Sequence, residues 1–242
     1  MPEGSLSDAT PPIVTRTDQP PIGGGPAVLL MDKPGGLSSF DVIRRLRPLL
    51  GTKKIGHAGT LDPMATGLLI CLVGRQATRL QDQFMGLPKT YTGTLRLGEV
   101  TPSYDAESEV IERVDASHVT DEQLDAVRQP LLGEIEQQPP MYSAVKVGGE
   151  RLYKKARRGE TIERVARPVS VYRFDLTARR GADVDFLIEC SKGTYVRTLA
   201  HDLGQALGVG AHLTALRRAA IGPFGVDEAW GLEALRDAIA PA

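Results

Sequence analysis

From Gly67 to Val73 the chain reads Gly-Leu-Leu-Ile-Cys-Leu-Val, with no charge and no polar side chain. A run this short and this apolar reads as a buried strand. It is far too short to span a bilayer as a helix. The fold must therefore build a core around a sheet. The 242 residues suit one large domain, or one with a small appendage. With 41% hydrophobic and 24% charged residues, such a chain can bury a sizeable core without disulfides or metal. Cys71 and Cys190 are too few for a disulfide framework and lack zinc-site spacing. No basic region followed by an apolar core opens the chain. These features exclude membrane, secreted mini-protein and zinc-ribbon classes and fit a cytoplasmic protein.

Residues 1–26 hold six prolines and four glycines without hydrophobic periodicity, the composition of a disordered tail. The glycines at 23–25 follow no strand and precede no Gly-Lys-Ser/Thr, so they read as linker. A strand is expected at 27–31. Ser38 with Asp41 three residues on forms a capping box for a helix to about Leu50. Residues 51–66 read as a glycine-punctuated loop, 67–73 as a strand and 76–83 as a short helix. A strand at 89–97 and a helix capped by Thr120 with Gln123 come next. Strands near 169–178 and 184–190, a helix at 196–207, a strand at 211–218 and a helix at 232–239 complete the chain. Strands and helices mix without a βαβ rhythm. That favours an α+β fold with a mixed, largely antiparallel sheet flanked by helices.

The net charge of −1 argues against nucleic acid, but its distribution does not. Residues 33–96 carry ten Lys/Arg against three Asp, and 137–168 eight against three Glu. Between them, 99–136 carries eleven acids against two Arg. A polyanion responds to a basic face and not to the total. Solvated faces are the competing explanation. In the segment 137–167, Tyr142, Lys146, Arg151, Tyr153, Lys154, Lys155, Arg157 and Arg158 interleave aromatic and basic side chains, as RNA phosphates and bases require. An exposed helix would read the same way.

The most unusual window is 54–69, where glycines, a proline, His57 and a single Asp sit between a helix and the buried strand. Pro63 restricts Asp62 to extended conformations and so holds its carboxylate. Locally, an Asp before Pro is also an ordinary turn former.

The segment Gly56-His57-Ala58-Gly59-Thr60-Leu61-Asp62-Pro63-Met64-Ala65-Thr66-Gly67 closely resembles the catalytic motif of the TruB family, the pseudouridine synthases that modify the tRNA T-loop. Asp32-Lys33-Pro34, Lys89-Thr90-Tyr91, Met141 to Lys146, Cys190 to Thr198 and Leu216-Arg217-Arg218 resemble further family motifs, in the family's order. The resemblance implies a pseudouridine-synthase fold over 27–242, with an RNA-gripping insertion at about 137–167. It implies an isomerase acting on the uridine at tRNA position 55 with no cofactor and no metal. Asp62 would be the nucleophile on a flipped-out base, attacking C1′ or C6. Arg197 would pair with that carboxylate, and Tyr91 would stack on the uracil and help deprotonate C5. Tyr195 and Leu216 would line the uracil pocket. His57 would contact the tRNA loop and help fill the gap left by the base. Lys33 would support the fold near the site or contact RNA, with a solvated lysine as the alternative. The expected partner is the tRNA T arm, met by a monomer with no guide RNA and no protein partner. The acidic run 99–136 should face away from RNA. The C-terminal PUA-type domain of longer members is expected to be absent. A tRNA-folding module, or a synthase of the guide-dependent branch, are the competing readings.

Overall fold

The structure, a computed structural model, describes residues 11–21, 23 and 25–240. The chain forms two compact units. One comprises the chain up to Leu87 together with the residues from Arg217 on; the other is Pro88–Leu216.

In the first unit, the strand Thr66–Val73 runs antiparallel to Ala27–Lys33, with Ala27 opposite Val73 and Lys33 opposite Gly67. Its alternate residues enter two cores. Leu69, Cys71 and Val73 pack with Val42, Ile43 and Leu46 of the helix Ser39–Leu49 and Leu235 of the helix Leu232–Ile239. Leu68, Ile70 and Leu72 pack with Phe84, Ile221 and Phe224. This burial on both faces is why the strand is apolar throughout. Each fully buried Leu or Ile contributes about 1.5–3 kcal/mol. The capping box at Ser38 and Asp41 forms as expected.

The first unit also departs from expectation in three places. Residues 55–58 are a strand, not a loop: Ile55–Ala58 pairs antiparallel with Val73 to Ile70. Within the tail expected over 1–26, Ile13–Val14 pairs in parallel with Val28–Leu29, and Val14 is buried in the core. Residues 1–10 lie outside the described residues. The helix expected at 76–83 is two helices, Gly74–Thr78 and Gln81–Gly86.

In the second unit, Lys89–Leu97 pairs antiparallel with Asp183–Cys190, which pairs antiparallel with Arg167–Arg180. The strand Gly133–Gln137 covers the 167–171 edge. Val184, Phe186, Ile188 and Cys190 alternate into the core, as their spacing predicts. The helix Asp121–Arg128 has its capping box at Thr120 and Gln123. The strand Ala211–Ile221 contributes residues 211–216 here and 217–221 to the first unit. The segment after Gln137 is a small hairpin, Lys146–Val147 with Glu150–Arg151, followed by the helix Leu152–Arg157. Among the described residues no helix is long and apolar enough to cross a membrane.

Candidate active site

In the first unit, the loop from Gly59 to Ala65 joins two antiparallel strands and carries Asp62, which is half-buried. Its backbone is held from several directions. Arg218, 1% exposed, donates from Nη2 to the Gly59 carbonyl at 3.0 Å and from Nε to the Leu68 carbonyl at 2.7 Å. Ser39 bonds the main chain of Leu61. The Ala65 N–H returns to the Asp62 carbonyl at 3.1 Å.

Lys33 is fully buried, which excludes a solvated side chain. Its Nζ donates to the carbonyls of Pro34, Leu37 and Pro63 at 2.9, 2.7 and 3.2 Å. Three N–H donors thus meet three acceptors, as a buried ammonium requires.

Gly67 shows why the loop's end must be glycine. Its φ is +100°, and a Cβ there would stand 2.3 Å from the Arg218 carbonyl oxygen. The two strands meet in parallel at this point, with Thr66 opposite Arg217 and Gly67 opposite Arg218. Arg217 points the other way and pairs with Asp32 through two hydrogen bonds of 3.0 and 2.7 Å. His57 lies on the strand leading into the loop. Burial, and then the Arg218 charge, hold its imidazole below the usual histidine range. Both causes disfavour its charged form.

In the second unit, Arg197 sits in the first turn of the helix Val196–Ala206 and is 3% exposed. Its Nη1 donates to the Ser103 carbonyl at 3.0 Å and to the Asp105 carboxylate at 3.1 Å, and its Nη2 to the Tyr142 carbonyl at 3.0 Å. Asp105 is fully buried and also accepts from Ser103 Oγ at 2.5 Å and from the Glu107 N–H at 3.0 Å. Between Ser103 and Asp105, Tyr104 has φ +64°, the one positive φ outside glycine among the described residues. Its ring stacks on His201 at 3.8 Å. Tyr104 thus sits between two residues that hold one arginine.

Asp105 belongs to the acidic run 99–136, yet it does not face solvent at all. Charge counting missed it because a buried acid and a solvated one look alike in sequence. Ser39 and Arg218 were also missed as holders of the loop, because nothing local marks a serine or an arginine as buried.

Tyr195 precedes Arg197, and Gln137 brackets its backbone: Oε1 accepts from the Tyr195 N–H at 2.7 Å and Nε2 donates to its carbonyl at 3.1 Å. Tyr91 is buried on the strand Lys89–Leu97 opposite Ile188. Leu216 is buried at the end of this unit's share of the strand Ala211–Ile221. Tyr91, Tyr195, Arg197 and Leu216 therefore belong to the second unit, and Lys33, His57 and Asp62 to the first.

Residues 47–196 match the family described as TruB family pseudouridylate synthase, N-terminal domain, and 197–242 match the tRNA pseudouridylate synthase B C-terminal domain. The chain is 53% identical over 221 residues to the tRNA pseudouridine synthase B of Nocardia farcinica, covering 90% of this chain and 71% of that protein. It is 50% identical over 216 residues to the protein of that name in Paenarthrobacter aurescens, covering 87% and 69%. Among solved structures it resembles a chain of a Cbf5-Nop10-Gar1 complex, with TM-score 0.69 and 32% identity, over 93% of this chain and 58% of that one. It therefore spans less than two thirds of that solved chain. A family match over more than half the sequence, with relatives half identical across nine-tenths of it, makes this chain a member of the TruB family of pseudouridylate synthases.

Proposed function

We propose that this chain isomerises uridine to pseudouridine at position 55 in the T-loop of tRNA, with Asp62 as the nucleophile. The reading is carried by half identity over nine-tenths of the chain to proteins named tRNA pseudouridine synthase B. The loop bearing Asp62, pinned on both sides, supports the choice of that carboxylate.

The reaction breaks the N1–C1′ bond, turns the uracil and joins C5 to C1′. The C5 proton leaves and N1 gains one, so atoms balance with no external reductant. The carboxylate attacks C1′ or C6, and a carboxylate can also serve as a base. The resemblance assigns Arg197 as its cationic partner. A guanidinium held by Asp105, Ser103 and Tyr142 arrives with a fixed direction, so pairing would cost little reorganisation. Tyr91 would stack on the uracil and take part in C5 deprotonation, while Tyr195 and Leu216 would line its pocket. A uridine folded into a loop must be extruded, at a cost of a few kcal/mol offset by stacking in the pocket. His57, on the approach strand, would occupy the space left behind. Lys33 acts through the Pro63 carbonyl as support for the loop. Exposed Lys146, Arg151, Lys154 and Arg157 of the insertion would contact T-arm phosphates, giving position and affinity but not sequence choice. The tRNA substrate puts the work in the cytoplasm.

The reading holds that a single chain needs no guide RNA and no protein partner. Purified protein is mixed with unmodified tRNA labelled with tritium at uridine C5. Tritium release, abolished when U55 is replaced by C, is the expected result. Release only on adding a guide RNA, or undiminished release from the substituted tRNA, contradicts it.

A further inference from the structure

Two adjacent serines stand at the start of the helix Ser39–Leu49, and they do different work. Ser38 is the cap: its Oγ accepts from the Asp41 N–H at 3.1 Å, and the Asp41 carboxylate accepts from the Ser38 N–H at 3.0 Å. The helix end therefore needs no second capping hydroxyl. Ser39 turns its hydroxyl to a segment 22 positions away. Its Oγ accepts from the Leu61 N–H at 2.8 Å and donates to the Leu61 carbonyl at 3.2 Å. Ser39 is 1% exposed and Leu61 3%.

One buried hydroxyl thus meets both main-chain polar groups of the residue immediately before Asp62. We infer that Ser39 is a positioning residue for catalysis, setting the direction of the Asp62 carboxylate through the backbone of Leu61. This rests on the reading of Asp62 given above. The clamp is stiff because its base is stiff. Val42, Ile43 and Leu46 of the same helix lie in the core cluster with Leu29, Met31, Leu69 and Cys71. On the other side of Asp62, the Pro63 carbonyl accepts from the Gly36 N–H at 2.9 Å and from Lys33. Asp62 is held between two anchored neighbours, and its own φ and ψ are narrowed by the proline that follows. Removing the hydroxyl leaves a buried N–H and carbonyl to find new partners, and the loop must shift for them to do so. A displacement near 1 Å at a reacting group costs on the order of 100-fold in rate.

The test compares wild type, Ser39→Ala and Ser39→Thr. Single-turnover pseudouridine formation is measured at saturating tRNA, with tRNA Kd and the unfolding midpoint measured on the same preparations. Ser39→Ala should lose about 10- to 100-fold in the single-turnover rate. Its Kd should stay within about threefold, since phosphate contacts dominate affinity. Ser39→Thr, which keeps the hydroxyl, should recover most of the rate. Wild-type rate in Ser39→Ala overturns the inference, as does a loss confined to Kd or one that tracks the fraction unfolded at the assay temperature. A fast Ser39→Ala beside an active wild type fails this inference alone. A wild type that makes no pseudouridine fails the functional reading, and this inference with it.

Discussion

Replacing Asp105 by Asn tests whether the buried pair with Arg197 is a structural strut as well as an aid to chemistry. The two side chains are 0% and 4% exposed, and Nη1 lies 3.1 Å from Oδ2. Asn can still accept from Ser103 and Glu107, but it cannot neutralise a guanidinium that water does not reach. Breaking a buried pair from one side costs about 3–5 kcal/mol. For a chain of this length each kcal/mol lowers the melting temperature by about 2–4 °C, so a fall of about 6–20 °C is expected. An internal control sets the scale. Asp183 makes two 2.8 Å hydrogen bonds to Arg96, as good a geometry, but those side chains are 28% and 42% exposed. Solvent screening limits Asp183→Asn to about 1 kcal/mol or less. Urea and thermal unfolding of both variants, with single-turnover assays well below the melting transition, give the comparison. The rate of Asp105→Asn should fall while that of Asp183→Asn holds. Equal midpoints for the two variants, or an Asp105→Asn that melts with wild type, would refute the reasoning.

Two further outcomes follow from local geometry and from titration. Gly67→Ala places a Cβ 2.3 Å from a backbone oxygen at φ +100°, so unfolding in urea should show a loss of about 3 kcal/mol or more. Gly181→Ala, at φ +64° with open space around it, should lose only about 1 kcal/mol. Asp202 has its carboxyl pushed up to about 6 by burial. The native state then binds a proton that the unfolded chain releases near pH 4, so this group's contribution to stability falls as pH rises from about 4 to 6. Asp202→Asn should therefore be more stable than wild type at pH 7 and equal to it near pH 4, as read from denaturant midpoints across that range.

Much of the fold was legible wherever one physical requirement acted locally. Both capping boxes, at Ser38 with Asp41 and at Thr120 with Gln123, form where the side chains predict them. The doubly buried strand 66–73 and the alternating strand 183–190 declared themselves by pattern. The strand Ile55–Ala58 did not, because Gly56 and His57 give it no strand-like pattern and its place comes from pairing with residues 70–73. Ile13–Val14 was hidden by the surrounding prolines, and its order comes from a neighbour across the sheet. The site divides in the same way. Asp62 stood out through its motif. Asp105, Ser39 and Arg218 act through burial and through partners 22 to 159 positions away, and no window of sequence contains such a pair. Arg217 and Arg218 make the point most sharply: adjacent and identical, one reaches a half-exposed Asp32 and the other is sealed among carbonyls.

The central assignment is the carboxylate of Asp62, and site-resolved pseudouridine mapping on unmodified tRNA addresses it most directly. Wild type and Asp62→Asn are run side by side at equal tRNA occupancy. The account predicts near-complete conversion at position 55 by wild type and none above background by the variant, with tRNA binding retained. Conversion at position 55 by Asp62→Asn at a rate within tenfold of wild type would contradict it, since an amide is a far poorer nucleophile and base than a carboxylate.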